Sequence, residues 1–97
     1  MTTKDSSSTD AEARASMPEV MRTITRQMSE MLGLQPAGVS AVESTEQGWR
    51  AHLEVVELER IPETTSVMAT YRVDADARGE VVGYERIRRY SRGQVDR

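Results

Sequence analysis

The chain has no cysteine among its 97 residues. That excludes a disulfide staple, a thiolate metal site and a cysteine nucleophile. It has one histidine, His52. No second soft ligand accompanies it at ligand spacing, so His52 is expected to be a solvated strand residue and not a metal ligand. No apolar run approaches the roughly 18 residues that a membrane helix needs. The first residues are rich in Ser, Thr and Asp and lack the apolar core of a secretory signal. A cytosolic protein is expected, with no membrane partner. The glycines Gly33, Gly38, Gly48, Gly79, Gly83 and Gly93 are scattered and form no phosphate-binding loop. No Ser/His/Asp arrangement is visible in chain order. Glu54, Glu57, Glu59 and Glu63 cluster in sequence, but abundant arginine lies nearby. Such surroundings favour ionised, paired carboxylates over the raised pKa that acid–base catalysis needs. The expectation is no enzyme, and no cofactor.

What the chain does contain is enough for one small domain. Small domains bury a limited core, so a partner is expected to supply part of the stability. The net charge of −3 is mild and gives no electrostatic reason for a nucleic-acid partner. The charge is uneven, however. Residues 1–77 hold 7 basic and 13 acidic side chains, and residues 78–97 hold 6 arginines against 3 acidic side chains. The C-terminal fifth is thus an arginine-rich edge on an acidic body. Pairing of those arginines with Glu54, Glu57 and Glu59 across a sheet is one expectation; contact with a partner surface is the other.

The stretch from Trp49 to Tyr90 carries the strongest pattern. Trp49, Ala51, Leu53 and Val55 alternate with Arg50, His52 and Glu54. Val67, Ala69, Tyr71 and Val73 alternate with Thr70, Arg72 and Asp74 in the same way. A period of two marks a half-buried strand. Pro62 breaks the first pair of strands, because it has no N–H to give a ladder. Gly79 marks the next hairpin, where positive φ is needed. A third strand follows from Val81 to Tyr90, and a weaker one precedes Trp49 over residues 38–45, with a turn at Glu46-Gln47-Gly48.

Before the strands comes one helix. Ser16 and Glu19 make a capping box, and Pro18 sits in the first turn. Met17, Val20, Met21, Ile24, Met28, Met31 and Leu32 fall on one face at helical spacing. Gly33 is the stop, with Pro36 shortly after. Residues 1–16 are polar and small and read as a disordered tail. The domain is therefore expected over residues 17–97. The fold class is α+β: one amphipathic helix packed on a four-stranded antiparallel meander sheet.

The last strand is the least regular. Val82, Tyr84, Arg86, Arg88 and Tyr90 share one face in strict alternation, and neither face is cleanly apolar unless a bulge switches the register. Interleaved Tyr and Arg suit a protein-binding surface. They also suit single-stranded RNA, with Tyr stacking on bases and Arg on phosphates. Tyr and Arg lying lengthwise over the sheet are the purely structural alternative.

Several of these segments resemble the gas vesicle protein O family. They are Gly48-Trp49, Glu54-Val55-Val56-Glu57, Arg60-Ile61-Pro62, Tyr71-Arg72-Val73-Asp74, Gly79-Glu80, Gly83-Tyr84, Arg86 and Arg89-Tyr90-Ser91-Arg92. The resemblance covers residues 48–92. Thr65-Ser66-Val67-Met68 departs from it, where an acidic residue and a larger aliphatic are usual, and so does Arg72, where Glu is commoner. The resemblance implies a non-enzymatic accessory protein of gas vesicle formation, acting with shell and accessory gas vesicle proteins. It implies core roles for Trp49 and Tyr71 and turn roles for Pro62 and Gly79. Candidates for partner contact are Arg60, Tyr84, Arg86, Arg88, Arg89, Tyr90 and Arg92. Val56, Met68, Tyr84 and Tyr90 are expected to leave apolar or aromatic surface outside the core. The rivals are an RNA-binding regulator using the Tyr/Arg strand, and a ligand carrier with a pocket lined by Met21, Met28 and Trp49. Exposed sheet edges also allow pairing with a second copy.

Overall fold

The computed structural model describes residues 14–94. The expected tail at residues 1–13 lies outside the described residues. The elements are α1 (Met17–Leu32), β1 (Gln35–Ser44), β2 (Gly48–Leu58), a short 3-10 turn (Glu63–Thr65), β3 (Val67–Asp76) and β4 (Val81–Ser91). The strands form one antiparallel sheet in the order β1-β2-β3-β4, a simple meander.

The helix begins and ends on local chemistry. The Ser16 hydroxyl accepts from the Glu19 N–H, and the Glu19 carboxylate accepts from the Ser16 N–H at 3.0 Å. Two otherwise orphaned donors are satisfied at once. At the other end Gly33 adopts φ 68°, and its N–H donates to the Ser29 carbonyl at 2.9 Å. Val20, Ile24 and Met28, four residues apart, are fully buried. They pack on Trp49, Ala51, Leu53 and Val55 of β2 and on Ala69, Val73 and Ala75 of β3. The two alternating strands thus turn their apolar positions to the helix.

Only part of the apolar stripe of α1 is buried. Met17 and Met31 are 43% and 50% exposed, and Met21 and Leu32 are half-buried. Both exposed methionines sit at the ends of the helix. Met28 and Trp49 belong to the packed core, while Met21 lines a surface groove with Val39. The three residues expected to enclose a ligand pocket therefore do not line one cavity.

Arg14 and Ala15, expected in the tail, are tied to β2 and to the turn after β3. The Ala15 N–H donates to the Ala77 carbonyl at 2.9 Å. The Arg14 guanidinium lies 4.9 Å from the centre of the Trp49 ring and donates to the Gly48 carbonyl at 2.8 Å. Cation–π attraction and a hydrogen bond together fix that side chain. Strand β1 also starts earlier than expected, at Gln35, and includes Pro36. An edge strand tolerates proline, because its outer N–H has no ladder partner to lose.

Candidate functional site

Strand β4 carries most of the candidate residues, and its register decides where they point. Ala75 pairs with Val81, Val73 with Tyr84, Tyr71 with Arg86, Thr70 with Arg88 and Met68 with Tyr90. Register shifts leave Val82 and Ile87 as the extra residues. Each extra residue reverses the alternation that follows it. Tyr84, Arg86 and Arg89 therefore share the helix-side face with Tyr71 and Ala69. Glu85, Arg88 and Tyr90 lie on the opposite face, helix-free among the described residues. The five residues that strict alternation put on one face are divided between two.

On the helix side, Glu57 gathers two arginines. Its carboxylate accepts from Arg86 Nη1 at 3.0 Å and from Arg89 Nε at 2.7 Å. The Glu57 side chain is 13% exposed. Burial alone would raise its pKa, but the two arginine hydrogen bonds and charges outweigh that and hold it below the usual carboxylate value. Tyr84 packs edge-on against Tyr71, with ring centres 6.0 Å apart.

On the helix-free face, Glu54 is the centre. It accepts from Ser40 Oγ at 2.6 Å, from Thr70 Oγ1 at 2.6 Å and from the Tyr90 hydroxyl at 2.7 Å. Burial pushes its pKa up, and the three hydroxyl donors with the Arg88 charge bring it below the ordinary value. Tyr90 responds in the opposite sense. Burial first, then the hydrogen bond and charge of Glu54, raise its hydroxyl to about 12. Arg88 lies over the Tyr90 ring at 4.5 Å. Ion pairs Arg50–Asp74 at 2.8 Å and Arg72–Glu85 at 2.7 Å complete this face. It is therefore a charged, hydroxyl-rich surface and not an apolar one. Val56 and Met68, expected to be exposed there, are 6% and 4% exposed.

Arg60 and Arg92 lie at the end of the sheet, around the β2–β3 loop. Arg92 Nη1 pairs with Glu63 Oε2 at 2.6 Å. The Arg60 N–H donates to the Ser66 hydroxyl at 3.0 Å. The seven candidates thus fall into three groups, and Arg86, Arg89 and Arg92 are engaged in internal ion pairs. The cross-sheet pairing read from the charge pattern holds for Glu57. Glu54 takes three hydroxyl donors beside the charge of Arg88.

Sequence reasoning missed Ser40, Thr70, Arg14 and Gln27. Ser40 sits at an irregularity of β1, so alternation gave no sign of its direction. Gln27 accepts from the Val81 N–H at 2.8 Å and donates to Glu80 at 3.0 Å, pinning the start of β4 to the helix. Among the described residues no group of three His, Cys, Asp or Glu could hold a metal ion. None of the described helices is long and apolar enough to cross a membrane.

Comparison with known proteins places this sequence in a family. Residues 3–96 match the family described as gas vesicle synthesis protein GvpO. Gas vesicle protein O of Streptomyces sp. (strain CB03234) is 47% identical over 78 residues, which cover 80% of this chain and 61% of that protein. Gas vesicle protein O1 of Halobacterium salinarum is 38% identical over 66 residues, covering 68% of this chain and 56% of that protein. Gas vesicle protein O of Haloferax mediterranei is 36% identical over 67 residues, covering 68% and 48%. The matched part spans about half to three-fifths of the length of these relatives. No solved structure matches. The match over nearly the whole chain, with relatives 36% to 47% identical, makes this chain a member of the gas vesicle synthesis protein GvpO family.

Proposed function

We propose that the protein takes part in gas vesicle formation as a non-enzymatic accessory protein that binds other gas vesicle proteins during shell assembly. Family membership supports the process. The observation that supports binding over catalysis is the one-sided cover of the sheet: α1 packs on one face, and the other presents ordered charges and hydroxyls. Glu54 and Glu57 are held ionised by their donors, the wrong state for a general acid. The protein is assigned to the cytoplasm, at the growing vesicle. Residues 17–97 act as the working domain, and the candidate contacts belong to three separate surfaces: Tyr84, Arg86 and Arg89 beside α1, Arg88 and Tyr90 on the opposite face, and Arg60 with Arg92 at the end of the sheet.

A single-stranded RNA site would need Tyr84 and Tyr90 on one surface. They lie on opposite faces, and Arg88 already occupies the Tyr90 ring. The protein partner is therefore preferred.

The process is tested by removing the coding sequence from cells that form gas vesicles. Loss of buoyancy, restored by the wild-type chain, is the expected result. Normal vesicles in its absence would overturn the proposal.

A further inference from the structure

Strand β4 is an edge of the sheet, and among the described residues no strand lies on its outer side. An open edge is a template for another strand. Three of the exposed large apolar side chains sit on this one: Val82, Tyr84 and Ile87. Side chains close it at both ends. The Val81 N–H donates to Gln27 Oε1 at 2.8 Å, and the Ser91 N–H to Gln94 Oε1 at 2.9 Å. The opposite edge, β1, suits pairing less. Pro36 has no N–H to offer, and two irregularities break the register of that strand.

The backbone directions along β4 follow from its neighbour. Ser91 points its N–H away from β3, to Gln94, so Arg89 two residues before it points outward too. Arg89 pairs with Ala69 and Tyr84 with Val73. No extra residue interrupts β3, so Ala69 and Val73 direct their backbone groups alike. Tyr84 therefore also faces the open edge. Between Tyr84 and Arg89, Ile87 is the extra residue that brings both to the helix side and leaves Glu85 and Arg88 on the other face.

A second copy laid antiparallel along this edge, about a two-fold axis perpendicular to the sheet, is complementary in one register. Tyr84 stands opposite Arg89 of the second copy, and Glu85 opposite Arg88 of the second copy. The first pair brings outward backbone to outward backbone on the helix side. The second brings a carboxylate to a guanidinium on the other face. In a strand without an extra residue this register would set opposite faces against each other. Ile87, beside the axis in both copies, removes the conflict. Registers centred on Glu85, Arg86 or Ile87 instead set like charges opposite. The paired span, residues 83–90, ends just inside the two glutamine caps.

Charge points to the same occupant. Arg72, Arg86, Arg88 and Arg89 stand against Glu54, Glu57 and Glu85, so the edge with its neighbours is close to neutral. A strongly charged strand finds no complement there, whereas the Glu85–Arg88 pattern complements itself.

We propose that two copies of this chain associate through residues 83–90 of β4, joining two four-stranded sheets into one with both helices on the same face. The outer edges are then both β1, whose proline and irregular register stop the assembly at two. This goes beyond the accessory role proposed above and does not depend on it.

Sedimentation equilibrium of the full chain tests it, with a monomer–dimer equilibrium and no larger species expected. Glu85→Arg puts a second guanidinium against Arg88 of the second copy, and Arg88→Glu puts a second carboxylate against Glu85 of the second copy, twice in each dimer. Each variant alone should dimerise at least about 100-fold more weakly. Mixed in equal amounts, the two should dimerise again, because each then meets the opposite charge. Ile87→Lys, at an exposed position, should weaken the dimer and melt like the wild type, and it replaces any charge variant that fails to fold. A wild-type chain still monomeric at millimolar concentration would overturn the proposal. So would open-ended oligomers, a dimer that all three substitutions leave unchanged, or folded charge variants that stay monomeric when mixed. None of these results bears on the accessory role.

Discussion

The Tyr90 hydroxyl on β4 donates to the Glu54 carboxylate on β2 at 2.7 Å, reaching over β3. Thr70 on β3 donates to the same oxygen, and Ser40 on β1 to the other. One carboxylate therefore ties all four strands on the face opposite α1. Tyr90→Phe should destabilise the domain by about 1 kcal/mol, and Glu54→Ala by about 2 kcal/mol, given partly exposed, charge-assisted bonds. Urea denaturation measures both. An unchanged midpoint for Glu54→Ala would remove the cross-sheet tie from the account.

Three of the shifted groups lie within the sheet and carry its pH dependence. Glu54 and Glu57 have folded pKa values below their ordinary ones, so the folded state binds fewer protons than the unfolded state in the acidic range. Their contribution is complete above the ordinary value of 4.5 and is lost as the pH falls through the lower folded values. Tyr90 is raised from 10.0 to about 12, so its contribution is complete below 10.0 and is lost as the pH climbs towards 12. Melting temperature against pH should fall on both sides, and Tyr90→Phe should abolish the alkaline loss assigned to that hydroxyl. Spectrophotometric titration of the tyrosines checks the assignment directly.

Charge reversal at β4 is not neutral to the fold. Arg89→Glu would set a second carboxylate against Glu57, which Arg86 alone would then have to neutralise. A loss of about 1 kcal/mol is expected, against a few tenths for Arg89→Gln. Thermal melts of the two variants discriminate. Only a variant that melts like the wild type isolates binding from stability.

Gly48 meets the backbone of the neighbouring strand more closely than any side chain allows. A Cβ there would lie 2.2 Å from the Ala75 carbonyl oxygen. Gly79 has φ 89°, and its Cβ would press on Val20 at 3.2 Å. Gly48→Ala should cost about 3 kcal/mol or more, and Gly79→Ala about 1 to 2 kcal/mol. Denaturant midpoints should preserve that order.

The sequence alone carried the parts of the fold that rest on period and capping. Alternation at Trp49–Val55 and Val67–Val73 located the core strands, and Ser16 with Glu19 located the helix start. Two features hid the remainder. Pro36 reads as a stop, yet an edge strand accommodates it, so β1 began three residues early. Val82 and Ile87 each add one residue to β4; the mixed polarity of the strand pointed to a bulge but gave neither its position nor the fact that there are two. Tyr84 and Tyr90 consequently exchanged a shared face for opposite ones.

The central claim is a contact function in gas vesicle formation. Affinity capture of the tagged chain from vesicle-forming cells, with and without RNase, followed by mass spectrometry, tests it most directly. Recovery of shell or accessory gas vesicle proteins in both samples is the predicted result. Recovery of RNA-dependent material alone, with no gas vesicle protein, would contradict it.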